Sequence, residues 1–300
     1  MVGADRSGSW CATLARALDE PLAGTASVAP RWVGIEHRGT WPHEISQHRD
    51  DSVRTFITRA RCAGWRPVLV RRPGLRPSDG PTRIFFADTA PPAPRTSVLR
   101  IVDPAELASV VLPAEHEPLP GETVSEPMLL VCTHGRQDRC CAVDGRALAR
   151  AVTATGESEV WESTHLGGHR FAPTALVLPT GYLYGRLDVA GAVAAYKAAA
   201  VGEAEPGLCR GRSTWTQPGQ VAELAVRAET GLRGANVLRV EPSPDDVDAP
   251  VQQVTVAAVD GRRWVVTVDA IACPGNRPVS CGAAALPVTA LHASRVHRIA

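Results

Sequence analysis

Lysine is almost missing from this chain. Lys197 is the only one, and every other member of the 32 Lys and Arg residues is arginine. With abundant Ala, Gly and Pro, that bias reads as the codon usage of a GC-rich genome, so an arginine here weighs less as evidence of function. Aromatic residues are scarce at 5%, which leaves Ala, Val and Leu to fill the interior. An excess of charge of one sign is also missing. The formal net charge is +1, so no global field argues for nucleic acid or an anionic membrane. No apolar run approaches the roughly 20 residues of a membrane span. The first 18 residues carry Asp5, Arg6 and Arg16 and no continuous apolar stretch of the signal-peptide kind. The expected address is therefore cytoplasmic, with no membrane or nucleic-acid partner.

Three chemical signatures are missing as well. There is no Gly-x-Gly-x-x-Gly fingerprint, so a nicotinamide cofactor would need a separate reductase or an unfamiliar site. There is no Cys-x-x-Cys, so dithiol catalysis is a weak reading. No pair of carboxylates stands out as the two groups about 5 to 10 Å apart that a glycosidase needs.

What the chain does have is length, apolar content and cysteine. Its 300 residues suffice for two ordinary domains or one large one, and 44% of them are hydrophobic. Eight cysteines in a cytosolic chain do not suggest a disulfide framework, so a metal or redox role is the better expectation for those that cluster.

The pattern divides the chain into an N-terminal α/β region over 1–95, a middle domain over 96–233 and a β-rich C-terminal region over 234–300. In the first, residues 11–18 and 52–62 read as helices, and 31–36 and 67–71 as strands. Pro-rich loops are expected at 88–95 and 113–127. In the middle domain, residues 128–131 read as a buried strand and 132–139 as a polar loop. Residues 141–152 have helical spacing, with Val143, Ala147, Leu148 and Val152 on one side. A strand at 159–162 and a glycine-rich loop at 165–169 follow. Next come a hairpin of 174–178 and 182–187 and a helix at 189–200. This order, β-α-β-loop-β-β-α, is the thioredoxin-like one. A helix at 217–230 is expected to pack beside it. Further on, strands at 251–259 and 262–270 flank Asp260-Gly261, a strong hairpin signal.

Two segments carry chemistry. One is Cys132-Thr-His-Gly-Arg-Gln-Asp-Arg-Cys-Cys141; the other is His165-Leu-Gly-Gly-His169. Each holds two soft or borderline ligands at the end of a predicted strand, and strand ends in α/β sheets gather on one edge. The pairs can therefore converge although Cys141 and His165 are 24 positions apart. Thiolates suit ferric iron. Replacing two of them by neutral imidazoles removes negative charge and favours the reduced state. Gly167 and Gly168 let the second loop turn tightly, because glycine tolerates positive φ.

The stretches VCTHGRQDRCCAVDGRAL and VWESTHLGGHRFAPTALVLPTGYLYGRL resemble the sucrase/ferredoxin-like family, a group of thioredoxin-like [2Fe-2S] ferredoxins with bis-histidine ligation. The resemblance is specific over 128–188 and looser over 11–72 and 208–231. It implies a [2Fe-2S] cluster on Cys132, Cys141, His165 and His169, with one iron on the thiolates and a more exposed one on the imidazoles. It also implies an electron-transfer protein or simple reductase, more a carrier than an enzyme, exchanging electrons with unidentified donor and acceptor proteins. "Sucrase" in the family name finds no echo in this chain. Cys140, beside Cys141, is where many relatives carry another residue, and leaves a spacing of seven conceivable for the second thiolate.

The competing reading is a Cys2His2 zinc site in a binding module without redox activity. Against it, zinc knuckles have about two to four residues between their cysteines, and here there are eight. His134 is either an outer hydrogen-bond donor to cluster sulfur or a loop residue facing water. Arg136, Arg139 and Arg170 together suggest a patch for an acidic redox partner. Trp161 and Phe171 read as core. Cys273 and Cys281 read as unrelated or redox-labile thiols, and Cys11, Cys62 and Cys209 as isolated structural residues.

Overall fold

The computed structural model describes residues 10–74, 80–242 and 250–300. The first nine residues, part of the stretch weighed above as a leader, lie outside the described residues. A short helix α1 (Cys11–Ala17) leads into strand β1 (Arg31–Glu36), helix α2 (Asp51–Cys62) and strand β2 (Arg66–Arg71). Asp50 caps α2 by accepting from the backbone N–H groups of Ser52 and Val53, which satisfies two of the donors that a helix start leaves free. β1 and β2 run parallel, as a strand-helix-strand unit requires.

Strands β3 (Thr82–Asp88), β4 (Arg95–Ile101) and β5 (Glu122–Val124) then add an antiparallel ladder on the other side of β1. These three strands were not expected. Short apolar runs such as Ile84 to Ala87 do not by themselves separate strand from buried helix. The Pro-rich stretch at 88–95 is the connection between β3 and β4.

The middle of the chain supplies β6 (Met128–Cys132), α3 (Arg146–Thr155), β7 (Val160–Ser163), β8 (Ala175–Leu178), β9 (Tyr182–Tyr184), α4 (Val189–Ala200), β10 (Cys209–Arg212) and α5 (Gln217–Thr230). The pairing of Val70 with Ser163 and Arg71 with Glu162 stitches β2 to β7. One mixed sheet of ten strands results, in the order β10-β9-β8-β6-β7-β2-β1-β3-β4-β5.

β6 explains how the site is aimed. Side chains alternate across a strand. Leu129 and Val131 face the core under α3 and α4, with Val152, Tyr182 and Ala195. Leu130 and Cys132 face the opposite core, with Trp32, Trp161 and Leu176. Trp161 and Phe171 are both buried, as expected.

The stretch before α3 departs from expectation. Residues Cys141–Gly145 form a wide π turn rather than the first turn of an α-helix. The extra residue rotates the face, so Val143 and Ala147 are exposed while Leu148, Ala149 and Val152 are buried.

Strands β11 (Leu238–Val240), β12 (Val251–Ala258), β13 (Arg263–Pro278) and β14 (Ala285–Arg298) form a separate antiparallel sheet in chain order, covered by α5. The hairpin at Asp260-Gly261 is as expected. β13 and β14 run further than the pattern suggests, and their far end returns to the N-terminal helix and the cysteine loop.

Candidate metal centres

β6 and β7 are parallel neighbours, and Cys132 pairs in register with Ser163. Their ends therefore emerge side by side. The loop leaving β6 carries Cys132 to Cys141, and the loop leaving β7 carries His165 two residues past Ser163. Parallel pairing is thus what brings the two motifs together.

Cys132 and Cys141 are both buried and hydrogen-bond to each other. Burial alone would raise both thiols. The hydrogen bond from Cys141, and then the neighbouring His165 side chain, push Cys132 well down instead, and Cys141 correspondingly rises. Cys132 is the thiolate-prone member. The His134 backbone N–H donates to it as well.

The rings of His165 and His169 stand 5.1 Å apart, tilted by 39°. His169 Nε2 lies 2.7 Å from the Val279 carbonyl. A carbonyl only accepts, so Nε2 carries the proton and Nδ1 is a bare lone pair. The Nδ1 atoms of His165 and His169 are both buried without a hydrogen-bond partner among the described residues. Burial lowers the His169 pKa, and Asp138 opposes that fall. Gly167 and Gly168 have φ of +91° and +70°. Cβ atoms there would strike Ser27 and the buried Arg210 guanidinium, so the loop requires both glycines.

His134 does not face water. It is buried, its Nε2 is 2.8 Å from the Pro42 carbonyl, and its ring meets Trp41 edge-on. Arg136 and Arg139 are exposed, but Arg170 is tied to the buried Glu20 carboxylate at 2.8 Å.

The adjacent cysteines point to different places. Cys141 joins Cys132. Cys140 joins Cys11, Cys281 and Asp138, and their ligand atoms all lie within 4.8 Å of one another. The expectation that Cys11 and Cys281 are isolated or unrelated thiols is therefore corrected. They come from opposite ends of the chain, and no local spacing announces them; the doubled Cys140-Cys141 was the one available hint. Cys62 is exposed on α2 and so is not a core residue, whereas Cys209 is buried. Cys273 is half-buried and outside the group around Cys281.

Fold and site together define an α/β protein in which Cys11, Asp138, Cys140 and Cys281 bring their ligand atoms within 4.8 Å of one another. Among the described residues, Cys132, Cys141, His165 and His169 do not make such a group, although the two loops that carry them leave neighbouring strands. The chain belongs to the sucrase/ferredoxin-like family, whose model matches residues 22–195, more than half its length. No curated protein and no solved structure matches it. Among the described residues, no helix is long and apolar enough to cross a membrane.

Proposed function

We infer that Cys132, Cys141, His165 and His169 hold a [2Fe-2S] cluster in a thioredoxin-like ferredoxin domain, and that the protein carries electrons between a donor and an acceptor protein. The observation that carries this reading is that the buried Nδ1 atoms of His165 and His169 have no partner among the described residues, while the His165 side chain reaches the buried Cys132–Cys141 pair. Buried polar atoms are normally satisfied, and the bare Nδ1 lone pair of His169 is the kind of group that a metal ligand presents. The Val279 carbonyl on His169 Nε2 is the outer contact that fixes the tautomer of a ligating histidine.

Bound there, the cluster supplies reversible one-electron storage. The chain supplies the rest. Cys132 and Cys141 are buried and keep solvent off the sulfur side. His165 and His169 are only half-buried, which leaves an imidazole edge within reach of a partner. The exposed Arg136 and Arg139 offer positive charge on the loop between Cys132 and Cys141, suited to an acidic redox partner.

The test is protein purified without oxygen. Two irons and two acid-labile sulfides per chain are expected, with a visible spectrum that Cys132→Ser and Cys141→Ser abolish. His165→Cys or His169→Cys should lower the reduction potential, because an added thiolate returns negative charge to the cluster. A colourless protein with zinc at these four residues would select the binding-module reading instead, and an unchanged potential in both cysteine variants would exclude histidine ligation.

A further inference from the structure

We propose that Cys11, Asp138, Cys140 and Cys281 form a second metal centre, independent of the first, which takes one zinc ion in a tetrahedral Cys3Asp set. The distances decide this. The Sγ atoms of Cys11 and Cys140 lie 3.7 Å apart, those of Cys140 and Cys281 3.4 Å, and those of Cys11 and Cys281 3.7 Å. A disulfide needs about 2.05 Å and only two sulfurs. A tetrahedron with Zn–S bonds of about 2.3 Å has sulfur–sulfur edges of about 3.8 Å. Three sulfurs at nearly equal separation, near that edge length, form the triangular face of such a tetrahedron.

The fourth corner is Asp138. Its carboxylate oxygens lie 3.7 and 3.8 Å from Cys11 Sγ, again one tetrahedral edge away. The side chain is fully buried. Its orientation is set by two backbone N–H groups, from Cys140 to Oδ1 and from Cys281 to Oδ2, each at 2.9 Å. Such outer hydrogen bonds hold a ligating carboxylate in place. Among the described residues, its only basic partner is the His169 ring at 3.7 Å. A buried carboxylate ringed by three thiols wants a cation, and the thiolate-rich, closed set suits structural zinc.

The site has a mechanical consequence. Cys11 starts α1, Asp138 and Cys140 belong to the loop after β6, and Cys281 lies in the turn between β13 and β14. One ion would therefore tie both ends of the chain to the cysteine loop. It would also hold Val279, two residues from Cys281, where its carbonyl meets His169.

The experiment measures metals in the purified full-length protein. One zinc per chain is expected. Cys281→Ser should lose that zinc and keep the iron and visible spectrum, whereas Cys132→Ser should do the reverse, so failure of either reading leaves the other testable. Asp138→Asn should weaken zinc by tenfold or more. If Cys281→Ser does not fold, wild-type protein answers the same question. Cys11, Cys140 and Cys281 should resist alkylation together until a strong chelator is added, and cobalt should then restore one equivalent of thiolate-to-metal absorption. Wild-type zinc content in Cys281→Ser, independent alkylation of the three thiols without chelator, or a disulfide among them would overturn the proposal.

Discussion

Single side chains set much of the behaviour of this molecule, and the pair His37 and His48 shows how. The Asp50 backbone N–H donates to His48 Nδ1 at 3.1 Å, so His48 Nε2 carries its proton and donates to His37 Nδ1 at 3.2 Å. The contact requires a neutral His37. Burial, with His48 beside it, lowers the His37 pKa from 6.5 to about 4. Between those values the unfolded chain binds a proton that the native protein does not, so stability is full above pH 6.5 and declines as pH falls towards 4. Urea midpoints measured across this window should fall less steeply in His37→Gln than in the wild type. Parallel curves would mean that His37 titrates normally. The two motifs of the proposed cluster site are visible at this same scale. Cys132, Cys141, His165 and His169 are local motifs whose spacing survives in one dimension. The direction in which Cys140 points was not legible, because it depends on a turn whose geometry the pattern does not encode.

At the scale of elements, legibility followed the strength of capping and periodicity. α5 matches its expected bounds, with Thr216 at its start and Gly231 at φ +69° closing it. α4 matches likewise, with Asp188 as its cap. The helix after the cysteines was misread in its first turn, and Gly145 supplies the physical reason. A Cβ at Gly145 would lie 2.0 Å from the Cys132 carbonyl oxygen, so the widened turn is pressed directly against the end of β6. Gly145→Ala would ordinarily favour a helix by about 1 kcal/mol. Here the backbone clash outweighs that gain, and a net loss of about 1–3 kcal/mol is expected, together with a disturbed Cys132 environment. Gly156→Ala is the control. Nothing lies within 4 Å of its Cβ position and φ is +70°, so it costs only left-handed strain, about 1–2 kcal/mol, and leaves Cys132 undisturbed. Denaturant midpoints read beside the visible spectrum separate the two, and an unaltered spectrum in Gly145→Ala would refute the close-packing argument.

Across the whole molecule, the least legible feature is which distant segments meet. Periodicity announces a strand but not its partner, so neither the junction of β2 with β7 nor the return of the β13–β14 hairpin could be read from pattern. Glu20 is where that return is secured. It is almost wholly buried, and its carboxylate binds Arg277 through both oxygens and Arg170 through one, while its backbone carbonyl accepts from Arg186 at 2.7 Å. Residues 20, 170, 186 and 277 belong to four separate stretches, and Arg277 is itself buried near the end of β13. Glu20→Gln preserves shape but leaves the buried Arg277 charge uncompensated, a defect worth about 3–5 kcal/mol when a buried pair loses one partner. Arg277, on the hairpin, makes two of the three contacts to that carboxylate, so the loss falls first on the hairpin end. Amide hydrogen exchange should therefore accelerate first over residues 271–288, while β6 and β8 keep their protection. A double change of Glu20 and Arg277 to methionine removes the orphaned charge and should recover part of the loss. Uniform acceleration through both sheets would show instead that Glu20 supports the whole fold and not the docking of one hairpin.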